Sequence, residues 1–264
     1  MTSTSEHADA EPTNWSYEPA ADLDQSVMEQ LRGFPREPHI SLYALRSAAA
    51  LLLRTWFKLY HRFEIVDASR LPIGSSFILV SNHQSHLDAL MLTASIPLRY
   101  LHRAFPAAAA DYFFSTAFRA AVSSIFINGL PFNRKGGGAA SLVVCRQLLR
   151  NAGNILIIFP EGTRSTTGLP GAFLPGIGHL AVGEETTVVP CYLEGAFRAF
   201  PKGARFPRPR KVTLRIGEPR SYASLPASKD SVRHVCADLR EAVFSLQQTP
   251  SLLPTNHEPA DSDG

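Results

Sequence analysis

Two histidines, an asparagine and an aspartate crowd into Asn82-His83-Gln84-Ser85-His86-Leu87-Asp88, directly after the apolar run Phe77-Ile78-Leu79-Val80. An imidazole held by a carboxylate is a general base. The acid fixes the tautomer and favours the protonated ring, so the other nitrogen is left to take a proton from a hydroxyl. Such help is worth roughly 10²–10⁴ in rate. Three readings of the heptapeptide stand side by side: His83 and Asp88 are a catalytic pair, Ser85 to Asp88 is a helix capping box among structural polars, or His83, His86 and Asp88 hold a metal. No nucleophile elbow of the Gly-x-Ser-x-Gly kind accompanies them, so a base here would serve an acceptor hydroxyl directly, in a sequential mechanism.

His83 and Asp88 lie five positions apart. That is about 140° around a continuous helix, and opposite faces of a continuous strand. Only a corner pairs them, with a strand ending at Ser81 and a helix beginning near Ser85. A second polar cluster, Phe159-Pro160-Glu161-Gly162-Thr163-Arg164-Ser165, follows another apolar run, Ile155–Phe159. Read alone, it is equally a plain turn or a site where glycine lets backbone N–H groups approach an anion and a guanidinium binds phosphate.

The elements that would carry these clusters are visible as periodicities. Strands are expected at Ser76–Ser81, Ser124–Ile127, Ile155–Phe159, Thr187–Leu193 and Val212–Ile216. Helices are expected at Ala89–Ser95, Tyr112–Val122, from Gly138 to Gly153, near Ile177–Ala181 and from Ser231 to Leu246. Strands that are apolar throughout and alternate with helices imply an α/β fold, its central sheet mainly parallel and flanked by helices. Ligands bind such sheets at the carboxyl ends of the strands, where segments 81–88, 128–135 and 160–165 would converge.

Taken in this order, about 75 residues apart, the two motifs resemble those of the glycerolipid acyltransferase family, of the 1-acylglycerol-3-phosphate (lysophosphatidic acid) acyltransferase type. Asn82-His83 to Asp88 matches its Asn-His-x-x-x-x-Asp, and Phe159 to Ser165 matches its second motif throughout. Gly129 to Arg134 and Val188-Val189-Pro190 resemble two weaker blocks. The resemblance implies a glycerol-3-phosphate acyltransferase-like fold that moves an acyl group from a thioester, acyl-CoA or acyl-carrier protein, to a lysolipid hydroxyl, with no other cofactor and no metal. It implies His83 as base and Asp88 as its orienting partner, with Arg134, Glu161, Gly162, Thr163 and Arg164 binding the acceptor. Two positions depart from the pattern: Asn133 stands where many members have Asp, and Leu174 where they commonly carry Lys.

Residues 1–24 and 248–264 hold nine acids and no Lys or Arg, so both are expected to be disordered tails. Removing those acids turns the formal +3 into +12 for residues 25–247. Such a core suits an anionic partner, phosphorylated or lipidic, and no nucleic-acid-binding module surrounds its basic loop at 198–211. That loop interleaves Arg198, Lys202, Arg205, Arg208, Arg210 and Lys211 with Phe197, Phe200 and Phe206. Segment 25–70 is expected to be an amphipathic helical segment preceding an acyltransferase domain over 71–247. Its Ser41–Arg62 stretch mixes Leu, Trp and Tyr with Arg46, Arg54, Lys58 and Arg62, as a helix lying on a membrane does, or one packed on the domain with its charges in water. Tyr112, Phe113, Phe114, Phe118 and Phe126 would line an acyl slot or fill core. The acidic N-terminus and three widely spaced cysteines predict neither export nor disulfides, and hence a peripheral or monotopic protein on the cytoplasmic face of a membrane.

Overall fold

A computed structural model of the chain describes residues 40–109, 130–132, 138–169 and 171–248. Its centre is a seven-stranded sheet in the order β1-β7-β6-β2-β5-β3-β4. The strands are β1 (Glu64–Val66), β2 (Phe77–Ser81), β3 (Ala104–Ala109), β4 (Leu130–Phe132), β5 (Ile155–Ile158), β6 (Thr187–Glu194) and β7 (Thr213–Ile216). Neighbours from β6 to β4 are all parallel; β7 turns antiparallel to β6, and β1 runs parallel to β7 at the edge. The expected mainly parallel α/β architecture is therefore present.

Six α-helices lie among the described residues: α1 (Ile40–Tyr60), α2 (Asp88–Ser95), α3 (Gly138–Arg150), α4 (Gly176–Ala181), α5 (Ala196–Ala199) and α6 (Lys229–Ser245). The strand side chains sort them onto two faces. On β2, Ile78 and Val80 pack with α3, α4 and α6 through Leu148, Ile177 and Val235. Phe77 and Leu79 pack the other way, with Phe57 of α1 and Met91 and Leu92 of α2. The two-residue period thus delivers every β2 side chain to a core, which is why the strand has no polar face. On the first face α4 and α6 approach closely at Gly178, where a Cβ would stand 2.7 Å from the Val232 carbonyl.

This layering creates the cleft. The chain leaves β2 through α2 on one face and leaves β5 through α4 on the other. β2 and β5 are neighbours, so a crevice opens at their carboxyl ends, where the two connections diverge to opposite faces, as is usual for the ligand site of an open sheet.

Several expectations need adjusting. Segment 25–70 adds a strand, β1, to the sheet and sends Phe57, fully buried, into the core. Periodicity gives no sign of β3, because Ala104-Phe105-Pro106-Ala107-Ala108-Ala109 has little β-branched or aromatic character. It forms because its two halves pair different partners: 104–106 with β5 and 107–109 with β4. The helix expected at 112–122, the strand at 124–127, the aromatic slot residues and both tails from 1–24 and beyond 248 lie outside the described residues. The cysteines are free, Cys145 and Cys191 buried and Cys236 half-buried.

Helix α1 carries its residues the unexpected way round. Arg46 is 3% exposed, Arg54 donates to the Ile96 carbonyl, and Leu53, Trp56 and Phe57 pack on the domain. Leu45, Leu51, Leu52 and Leu59 are 50–75% exposed along the opposite face. Two of the basic residues thus face the protein and the leucines face outward. Among the described residues no helix is long and apolar enough to cross a membrane.

Candidate active site

The corner inferred from spacing exists. β2 ends at Ser81, α2 begins at Asp88, and His83 Nδ1 lies 2.9 Å from Asp88 Oδ2 across the intervening turn. The same Oδ2 accepts the backbone N–H of Gln84 at 2.6 Å and of Ser85 at 2.7 Å. The capping and catalytic readings therefore do not compete, since one oxygen closes the turn and holds the imidazole. With the Asp88 side chain fully buried and that oxygen already accepting two N–H groups, Nδ1 is the protonated nitrogen. Nε2 is left with its lone pair, on a ring whose residue keeps 22% of its side chain accessible.

Asn82 anchors the turn from below. Its Oδ1 accepts the Leu193 N–H at 2.8 Å and its Nδ2 donates to the Leu193 carbonyl at 3.2 Å. A side-chain amide thus continues the β2–β6 ladder for one step after the backbone has turned away. Ser85 fixes the other side, its Oγ donating to the Phe200 carbonyl at 2.9 Å and accepting the Leu87 N–H at 3.1 Å.

The loop after β5 closes over this turn. Phe159 stacks on the His83 ring, centroids 4.1 Å apart and planes 17° from parallel. Glu161 takes the His83 N–H on Oε1 at 2.9 Å and the Gly171 N–H on Oε2 at 3.1 Å. Burial pushes its carboxyl pKa up, and those two N–H bonds oppose the shift. Ser165 donates its N–H to the His83 carbonyl at 2.8 Å, and Gln84 Nε2 donates to the Gly168 carbonyl at 2.8 Å. Gly162 turns the loop with φ +69°, a left-handed conformation that favours glycine. Its N–H donates to the Phe159 carbonyl at 3.0 Å.

Of the site residues expected from sequence, those within the described residues are brought to one crevice, in distinct positions. His83 and Asp88 are paired, and Glu161 is committed to backbone on both oxygens. Thr163 is exposed and Arg164 lies beside the His83–Asp88 turn, while Arg134 lies outside the described residues. Leu174 donates its N–H to the Pro160 carbonyl at 2.9 Å, and its side chain covers Gly162. His86, a ligand only in the metal reading, lies with both ring nitrogens against the Arg164 guanidinium. A fixed positive charge at that position opposes a cation bound by His83, His86 and Asp88, and no cluster of three metal-ligating side chains occurs among the described residues. The motif offered no cue to the roles of His86 and Asn82, because their partners lie 78 and 111 residues away.

Known proteins resemble the chain in sequence and in fold. A family model described as Acyltransferase matches residues 62–194, about half of the chain. The 1-acyl-sn-glycerol-3-phosphate acyltransferase alpha of Mus musculus is 31% identical over 194 residues, 70% of this chain and 65% of that protein. Its Bos taurus counterpart is 29% identical over 181 residues, 66% and 61% of the two chains. The chain thus spans less than two thirds of the length of either relative. The crystal structure of the 1-acyl-sn-glycerophosphate (LPA) acyltransferase PlsC from Thermotoga maritima superposes with a TM-score of 0.58 at 24% identity, covering 78% of this chain and 81% of that one. That likeness is one of fold. Motif, fold and matched span agree, and the chain belongs to the acyltransferase family.

Proposed function

We propose that the protein transfers a fatty acyl group from a thioester, acyl-CoA or acyl-carrier protein, to the free hydroxyl of a lysophospholipid such as 1-acylglycerol-3-phosphate. The observation that carries this reading is the oriented His83–Asp88 pair, opening beside the Arg164 loop at the crevice between β2 and β5. The names of the relatives point to the same acceptor. His83 Nε2 takes the proton as the hydroxyl oxygen attacks the thioester carbonyl. The tetrahedral intermediate then collapses with cleavage of the C–S bond, and the imidazolium returns the proton to the departing thiolate. Asp88 stabilises the imidazolium between the two steps.

The acceptor's phosphate is held by Arg164 and Arg134, with Glu161, Gly162 and Thr163 shaping the loop that receives it. A guanidinium suits this work because its fork matches phosphate oxygens. The chemistry needs no metal or organic cofactor beyond the acyl carrier. Buried Cys145, whose thiol burial pushes up to about 12, is unsuited to an acyl-enzyme. The experiment is direct: incubate the purified protein with oleoyl-CoA and 1-oleoylglycerol-3-phosphate, and follow thiol release and the diacyl product by mass spectrometry. Formation of phosphatidic acid supports the reading. Thioester hydrolysis without acylated lipid overturns it.

The site of action is the cytoplasmic face of a membrane, where the protein sits peripherally or monotopically. The support is the outward face of α1, where each leucine moved from water into lipid contributes about 1.5–3 kcal/mol. The C-terminal end of that helix adjoins the basic loop, Tyr60 donating to the Pro207 carbonyl at 3.0 Å. Phe206, 76% exposed, stands among the loop's arginines. Basic residues beside an anionic leaflet add about 1 kcal/mol each. Deleting α1 would not test this, because it would also pull Phe57 from the core. The double substitution Leu52→Glu/Leu59→Glu instead keeps the packed face. It should reduce co-sedimentation with phosphatidylglycerol-containing vesicles at least about tenfold while leaving the melting temperature unchanged. Undiminished binding would remove α1 as the docking element.

A further inference from the structure

Arg164 reaches the crevice in company. Its Nη1 lies against Nδ1 and Nε2 of His86, joining the loop after β5 to the turn after β2. His86 is itself fixed in place: its backbone N–H donates to the Phe200 carbonyl at 3.4 Å, and its ring tilts over Phe200 at 4.9 Å. Ser85, whose N–H donates to Asp88, is tied to the same carbonyl through its hydroxyl. A guanidinium only donates, and only a neutral imidazole has a nitrogen free to accept, so of the two ring nitrogens beside Nη1 the one without hydrogen is the acceptor. Burial first, then Arg164 and His83, lower the His86 pKa against the opposing pull of Asp88. The neutral form is thereby the resident one.

We propose that His86 is a positioning residue for acceptor binding: its neutral ring holds the Arg164 guanidinium in the plane in which it meets the acceptor's phosphate. The proposal rests on the reading of Arg164 as a phosphate ligand. Three residues past His83, the ring stands between the proton-transfer pair and the anion site, and it registers one against the other without touching substrate. An interaction with a phosphate that does not react is made alike in ground state and transition state. Its loss therefore raises KM and spares kcat. Glutamine at 86 still offers a carbonyl oxygen to the guanidinium, whereas phenylalanine fills the space and offers none.

The test is steady-state acylation by the full chain at saturating oleoyl-CoA, with wild type, His86→Gln, His86→Phe, Arg164→Ala and the His86→Phe/Arg164→Ala double variant. The expected result for His86→Phe is a KM for 1-oleoylglycerol-3-phosphate raised about tenfold, the worth of a charge-assisted hydrogen bond, with the change falling on KM rather than kcat. His86→Gln restores KM to within about threefold of wild type. In the Arg164→Ala background, His86→Phe adds nothing further, because its partner is gone. The proposal is overturned if Arg164→Ala raises KM while His86→Phe does not, or if the two changes multiply in the double variant. Should Arg164→Ala itself leave KM unchanged, the phosphate reading of Arg164 fails, and the role of His86 falls with it. Because the double variant is compared with Arg164→Ala, a general loosening of the turn is separated from loss of the strut.

Discussion

Replacing His83 by alanine is expected to lower the rate of acyl transfer by roughly 10²–10⁴, the range ascribed to a positioned general base, while the protein melts where the wild type does. The fold should tolerate it because the hydrogen bonds that tie the two loops at this position are made by the His83 backbone, through N–H to Glu161 and C=O from Ser165, and survive the loss of the ring. Asp88→Asn should abolish activity to the same degree but with a second signature. The buried carboxylate oxygen accepts three N–H groups, and an amide that turns its NH2 toward them leaves donors facing donors. A drop in melting temperature should therefore accompany the loss of rate in Asp88→Asn and be absent from His83→Ala. Thiol release on adding lysolipid, with calorimetry on the same preparations, reads both. Purified His83→Ala turning over at the wild-type rate would end the proposed mechanism.

Glu161→Ala should be nearly as damaging, for a reason the motif does not convey. Its two oxygens hold the N–H groups of His83 and Gly171, so removing the side chain leaves both donors without their partner at about 1–3 kcal/mol each. Stability and kcat should fall together, with Glu161→Gln intermediate because one carbonyl oxygen survives. A variant that melts normally and changes only the acceptor's KM would instead place this carboxylate on the acceptor, where the family resemblance puts it.

Much of the His83–Asp88 arrangement was legible in the chain because its geometry is local. Five residues separate His83 from Asp88, and only a corner makes them meet; an apolar run before and a helix after supply that corner. β2 and β5 were equally readable, since strands buried on both faces have no polar period to confuse. What escaped was set by distant partners. β3 is strand because β5 and β4 border it, not because Ala-Phe-Pro-Ala-Ala-Ala favours extension. The 3.6-residue period of α1 showed two faces without showing which one turns inward, and burial of Arg46 decided it. Glu161, a ligand by resemblance, also braces two backbone N–H groups, and His86 touches the loop's arginine, contacts that no spacing along the chain could announce.

The oxygen shared between the turn and the imidazole has one more consequence. Asp88 Oδ2 accepts the Gln84 and Ser85 N–H groups where the chain leaves β2 for α2. Once it has done so, it already stands where His83 needs it. Maturation and arming are then a single event: a molecule whose turn has formed has its base aligned. On the proposed mechanism, no further rearrangement is then needed to align the base before substrates arrive.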